Sequence, residues 1–186
     1  MRVISGSARG RRLKELQGMD TRPTTDKVKE SLFNIIQFEI EGRQVLDLFG
    51  GTGQLGLEAL SRGAARCTFV EQRKDAVALI RENIKTCGFV GDQAHLVQGE
   101  AISFLSSCRE KFDLIFLDPP YQTDLLERSI DAVMKFDILR EHGIIVCESA
   151  ADRILPPLAY PYEWGKEYRY GKIKLTICRR AGSMRV

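Results

Sequence analysis

From Val45 to Cys147 short apolar segments alternate with longer amphipathic ones, and nothing else in the chain restricts its fold so strongly. Val45–Phe49, Cys67–Glu71, Ala94–Val97, Phe112–Leu117 and Gly143–Cys147 read as strands. Between them, helical spacing of apolar residues predicts helices over Leu55–Arg62, Lys74–Cys87, Glu100–Cys108 and Leu125–Glu141, the last broken near Phe136. Strands apolar on both faces and joined by helices belong in a buried parallel sheet with helices packed on each side. The alternation ends after Pro156-Pro157. There Tyr162–Tyr170 and Lys172–Arg179 face each other across Gly171, which predicts an antiparallel terminal hairpin.

Upstream, Arg2 to Glu15 reads as a short basic β-hairpin with a glycine-rich turn, followed by an irregular stretch from Gly18 to Pro23. Thr24 or Thr25 is placed to cap a helix carrying Val28, Leu32, Phe33, Ile35 and Ile36, stopped by Gly42. Neither repeats nor a linker interrupt the 186 residues, so the reading is one α/β domain, with 1–23 as a basic extension.

Composition narrows the partners. No apolar run approaches a membrane span and no signal-like segment follows Met1, so a cytoplasmic protein without membrane contact is expected. Cys67, Cys87, Cys108, Cys147 and Cys178 are widely spaced, as free thiols in a reducing compartment would be, and no metal site is expected. His95 and His142 are isolated and read as structural. The net charge of +3 is segregated: residues 1–14 and the stretch from Glu163 onward carry +5 each, leaving −7 on the body between. A basic rim on an acidic body suits a polyanionic substrate gripped at the chain ends.

Two segments carry chemistry. Asp47-Leu-Phe-Gly-Gly-Thr-Gly-Gln-Leu-Gly56 runs from the first strand into a helix, and Gly51, Gly53 and Gly56 match the spacing of a nucleoside-cofactor loop. Glu71 ends the second strand, where an acidic residue grips ribose hydroxyls. Asp47 at the mouth of the loop would repel a pyrophosphate but attract a sulfonium cofactor with an ammonium group. Asp118-Pro-Pro-Tyr121 follows the fourth strand directly, and ligands of such sheets bind beyond the strand ends. The Asp118 carboxylate with a carbonyl freed by the prolines forms an acceptor pair for an NH₂ group, and Tyr121 offers a face for a base.

These segments resemble the amino-methyltransferase class of seven-stranded Rossmann-like methyltransferases. With Arg2-Val-Ile-Ser-Gly, Gly10-Arg11, Thr21 to Asn34 and Gly56 to Gly63, the chain resembles the RsmD family of bacterial 16S rRNA guanine-N2 methyltransferases, from Met1 to about Glu148. Gly50 and Gln54 stand where that family more often has alanine, and Glu100 where aspartate is commoner. The resemblance implies S-adenosylmethionine as cofactor, with S-adenosylhomocysteine as product. It implies Asp47, Gly51, Gly53 and Asp118 at the methionine end, Glu71 on the ribose, and Glu100 and Ala101 about the adenine. Asp118, Pro119 and Tyr121 would be catalytic. Thr21, Arg22 and Thr24 would lie over the site, Pro120 and Tyr121 against the target base, and Arg9, Arg11 and Arg12 on phosphates.

The expected substrate is then 16S rRNA, as a small ribosomal subunit or assembly intermediate, approached by a monomer. A DNA adenine-N6 or cytosine-N4 methyltransferase would use the same acceptor pair, and methylation of a protein amide or small molecule is a further alternative. A nicotinamide oxidoreductase would explain the glycine loop without Asp118 to Tyr121. A non-catalytic RNA-binding module would explain only the basic ends.

Overall fold

The computed structural model describes residues 1–16 and 26–180. Its seven strands form one sheet in the order β3-β2-β1-β4-β5-β7-β6. They are β1 (Gln44–Asp47), β2 (Arg66–Glu71), β3 (Ala94–Gln98), β4 (Phe112–Leu117), β5 (Leu139–Ala150), β6 (Tyr162–Tyr170) and β7 (Ile173–Arg180). The first five are parallel. β7 runs antiparallel to both β5 and β6, so the terminal hairpin inserts its second strand next to β5.

Among the described residues five α-helices cover the sheet: α1 (Asp26–Ile35), α2 (Gln54–Ser61), α3 (Lys74–Cys87), α4 (Ala101–Ser107) and α5 (Leu125–Lys135). Alternation along β4 explains the two cores. Leu114 and Phe116 pack with α1, α2 and α3, including Phe33, Leu57 and Ile80. Ile115 and Leu117 point to the other face and pack with Leu105 of α4 and Ile130 and Val133 of α5. All five cysteines are free, and all but Cys108 are buried. His95 and His142 are exposed on the surface.

Three expectations need correction. The first helix ends at Ile35 and continues only as a 3₁₀ turn over Gln37–Glu39, because the buried Ile36 and Ile40 turn the chain toward β1. The Thr24 or Thr25 cap lies outside the described residues. The last helix stops at Lys135, and Leu139–Glu141 belongs to β5. Asp137 adopts a left-handed φ of 51°, which ends the helix, and Ile138 and Leu139 are then buried against the sheet. The N-terminal hairpin is reduced to a single antiparallel bridge between Arg2 and Arg12, closed by Val3 and Gly10–Arg11 backbone bonds.

That N-terminal segment is held along α2 by side chains rather than by strand pairing. The fully buried Glu58 carboxylate accepts from the backbone N–H of Ile4 (2.7 Å) and Ser5 (3.0 Å) and from Arg62 Nε (2.8 Å). Lys29, also fully buried, lies 3.9 Å from Glu58 and donates to the Arg2 carbonyl at 2.6 Å. Burial lowers the Lys29 pKa against the pull of Glu58 and Asp26.

Candidate active site

The parallel strands end on one edge, and the polar residues that follow them collect there. Asp47 closes β1. It is 2% exposed, and its Oδ2 accepts the Gly56 N–H at 3.0 Å, tying the strand end to the first turn of α2. Burial, reinforced by the negative charge of Glu71, pushes its carboxyl up to about 7 even though the Gly56 bond pulls the other way.

The glycine loop between Asp47 and α2 has the tight form the sequence implies. Gly53 takes a φ of 78° as the residue before the helix, and its N–H bonds the Gly50 carbonyl at 2.6 Å. Gly56 is required by packing: an added Cβ would sit 2.3 Å from Phe69 Cε1 and 2.6 Å from Cys67 Sγ. Glu71 at the end of β2 accepts the Gly51 N–H at 2.9 Å and the Arg73 N–H at 2.8 Å. One carboxylate thus braces the loop from the neighbouring strand while retaining lone pairs for further donors.

Beyond β3, Glu100 is the N-cap of α4 rather than its first residue, and Ala101, buried, begins the helix. The Glu100 carboxylate accepts from Ile102 N–H (3.0 Å) and Ser103 N–H (2.7 Å). Burial works against its charge, but these bonds, with the Ser103 side chain and the Arg128 charge, outweigh it and hold the carboxyl below its ordinary range.

At the end of β4, Asp118 follows Leu117, which is in register with Cys147 of β5. Glu148 follows Cys147, so the two carboxyl groups stand side by side on adjacent strands. No donor among the described residues bonds the Asp118 carboxylate. Burial and then the charges of Glu148 and Asp47 raise its pKa well above the carboxylate range. Pro119 is buried, Pro120 exposed, and the Tyr121 hydroxyl donates to Glu148 Oε1. The edge is therefore electronegative, with a spare acceptor at Asp118 and a half-buried aromatic ring beside it, suited to a cation and to an amine.

Asp47, Gly51, Gly53, Glu71, Glu100, Ala101 and the segment Asp118 to Tyr121 all lie on this edge. Arg9, next to the Ser5–Ala8 turn, does not, whereas Arg12 stands two residues before Lys14, on the arm that runs past the glycine loop. Asn83 of α3 bonds both the Lys14 and Thr52 carbonyls, whereas the Ser5–Ala8 turn bonds Ser61 at the far end of α2. At 1.5 Å per helical residue the basic turn sits about 13 Å from the glycine loop. There Arg2, Arg9, Lys27, Asn34 and Arg62 line a cleft of about 530 Å³ together with Asp26 and Glu30. Thr21, Arg22 and Thr24 lie outside the described residues. The sequence reading did not pick out Glu148, although an acidic residue at a strand end in Cys147-Glu148 was a usable signal. Nothing in the sequence singled out Lys29 and Glu58, and only packing shows them buried.

The strand order and the glycine loop at the end of β1 define a Rossmann-like fold of the S-adenosylmethionine-dependent methyltransferase class. The model of a family described as Conserved hypothetical protein 95 matches residues 1–179, and the chain belongs to that family, the RsmD family. The Ribosomal RNA small subunit methyltransferase D of Haemophilus influenzae is 36% identical over 166 residues, covering 88% of this chain and 84% of the relative. Its namesake in Escherichia coli is 34% identical over 180 residues, covering 97% and 90%. The solved structure of yhhF from Escherichia coli superposes with a TM-score of 0.87 at 34% identity, over 97% of this chain and 98% of that one.

Proposed function

We propose that this chain transfers a methyl group from S-adenosylmethionine to the exocyclic N2 amine of a guanine in 16S rRNA, within a small-subunit particle. The observation that carries the reading is the Asp118 carboxylate, without a donor among the described residues, beside the glycine loop. Its setting in a family with members named as small-subunit rRNA methyltransferases supports the RNA substrate.

The site suits a cationic cofactor. Burial raises both carboxyls, with the charge of Glu71 adding to it at Asp47 and those of Glu148 and then Asp47 at Asp118, and a positive charge placed among them would relieve that repulsion. Asp47, Gly51 and Gly53 would hold its methionine end, Glu71 the ribose, and Glu100 with Ala101 the adenine. When bound, it supplies the sulfonium methyl: the S–CH₃ bond breaks as N–CH₃ forms, and the neutral thioether S-adenosylhomocysteine leaves.

The residues of the chain act on the nucleophile. The guanine amine is weak because its lone pair is delocalised into the ring. Accepting its two protons at the Asp118 carboxylate and the Pro119 carbonyl orients that lone pair toward the methyl. As the nitrogen becomes positive the carboxylate stabilises it, and the proton released afterwards goes to Asp118 or to water. Tyr121 stacks on the base and Pro120 bounds the pocket. Such a base must be unpaired or flipped to reach Asp118. The basic turn, about 13 Å away by helix rise, grips the RNA backbone remote from the reacting base rather than beside it.

The test is transfer of labelled methyl from S-adenosylmethionine to small ribosomal subunits lacking the modification, free 16S rRNA and duplex DNA. N2-methylguanine from the ribosomal acceptors, lost in Asp118→Ala while cofactor binding persists, is the expected result. Label in DNA alone would assign an amino-methyltransferase acting on DNA. Cofactor binding without transfer to any of these would leave an amino-methyltransferase with another acceptor, and failure to bind the cofactor would favour the RNA-binding module.

A further inference from the structure

Tyr121 is restrained at both of its ends, and neither restraint belongs to the Asp118-Pro-Pro-Tyr segment itself. Its hydroxyl donates to Glu148, which is 5% exposed and lies in β5, two residues before its last residue, Ala150. Its backbone carbonyl accepts from Arg153 Nη1 at 2.8 Å. The same guanidinium reaches the Thr123 carbonyl through Nη2 at 2.7 Å and grips Glu127 of α5 with Nε at 2.9 Å and Nη2 at 2.6 Å. Thr123 Oγ1 in turn bonds the Pro120 carbonyl at 2.8 Å. Arg153 is itself anchored, because Lys174 of β7 donates to its carbonyl at 2.7 Å and pairs with Glu167 of β6.

A loop after a strand ordinarily has freedom to move. This one is pinned by a fork of donors that only arginine presents, on a residue supplied by the distant β5–β6 connection. We infer that Glu148 and Arg153 are positioning residues that fix the Tyr121 ring as the platform on which the target base is aligned for in-line transfer. The inference rests on Tyr121 being the stacking ring of the proposed reaction. It also gives the antiparallel hairpin a part in that reaction, since β6 and β7 hold the residue that holds the loop.

A displaced ring misaligns the base without removing the phosphate contacts that dominate RNA affinity, so the loss falls on kcat rather than on KM. Tyr121→Phe and Glu148→Ala should each lower kcat by about ten- to a hundredfold, with KM for RNA and cofactor affinity within about threefold. Glu148→Gln keeps an acceptor for the hydroxyl and should retain activity within about threefold. The double variant Tyr121→Phe/Glu148→Ala should be no worse than the poorer single one, because both remove the same bond. Arg153→Lys keeps the charge but loses the fork, and should lower kcat about tenfold, with a melting temperature close to the parent showing an intact fold.

Multiplicative losses in the double variant, or Glu148→Gln as impaired as Glu148→Ala, would show Glu148 acting by charge on the reaction and overturn the inference. So would an Arg153→Lys variant that raises KM and leaves kcat unchanged. These outcomes, with an active parent, leave the proposed function standing. A parent chain that methylates no RNA overturns the function and the inference together.

Discussion

Cofactor affinity should depend on pH through Asp47, whose carboxyl burial raises to about 7. A carboxyl of that pKa is about 3% ionised at pH 5.5 and about three-quarters ionised at pH 7.5. The cofactor cation favours the ionised form, so the proton must leave on binding. Affinity for S-adenosylmethionine should therefore rise about 25-fold over that interval, the ratio of the two ionised fractions. Stability runs the opposite way. The folded carboxyl holds its proton to higher pH than the unfolded one, near 4, so the cofactor-free protein loses stability as pH climbs from about 4 to about 7. A shift of about three units sets the loss on the order of 4 kcal/mol. Asp47→Asn, which keeps an oxygen for the Gly56 N–H, should flatten both dependences, leaving only the part due to Asp118. Isothermal titration at several pH values, paired with urea unfolding of the cofactor-free protein, measures both. An equal affinity slope in the parent and in Asp47→Asn would refute the argument that Asp47 is ionised by the cofactor.

Gly56→Ala places a methyl where Phe69 and Cys67 already stand, and should cost about 1–3 kcal/mol, visible as a lower melting temperature. Glu58→Ala strips the Lys29 ammonium and the Ile4 and Ser5 N–H groups of their acceptor, and should cost about 3–5 kcal/mol in urea unfolding. Arg9→Gln, at the exposed basic turn, should leave kcat unchanged, weaken RNA binding and reduce the magnitude of its log–log salt slope by about one.

Much of the fold could be read from the residues because its signals are local. Strands apolar on both faces need a helix on each side wherever they occur, and Lys74–Cys87 and Phe112–Leu117 emerge in the structure with the boundaries their pattern implies. The segments flanking strand ends were legible for the same reason: a glycine loop after β1, an acidic residue closing β2 and another following β4 are positions along the chain. Where the reading fell short, long-range packing decides. Leu125–Glu141 reads as helical with a break near Phe136, and the helix does stop there, but beyond it Ile138 and Leu139 gain more from burial against the sheet than from a resumed helix.

The chain order alone determined the parallel sheet, the edge on which the candidate site lies and three of its carboxylates, Asp47, Glu71 and Asp118, but not Glu148. The tertiary structure decided that Lys29 and Glu58 face each other out of water. It set the Ser5–Ala8 turn at the far end of α2 rather than at the strand-end edge. It also brought Glu148 and Arg153, 27 and 32 residues beyond Tyr121, to its two ends. Spacing along the chain carries the period of a strand or helix, but not the distance across the sheet between residues that sequence keeps far apart.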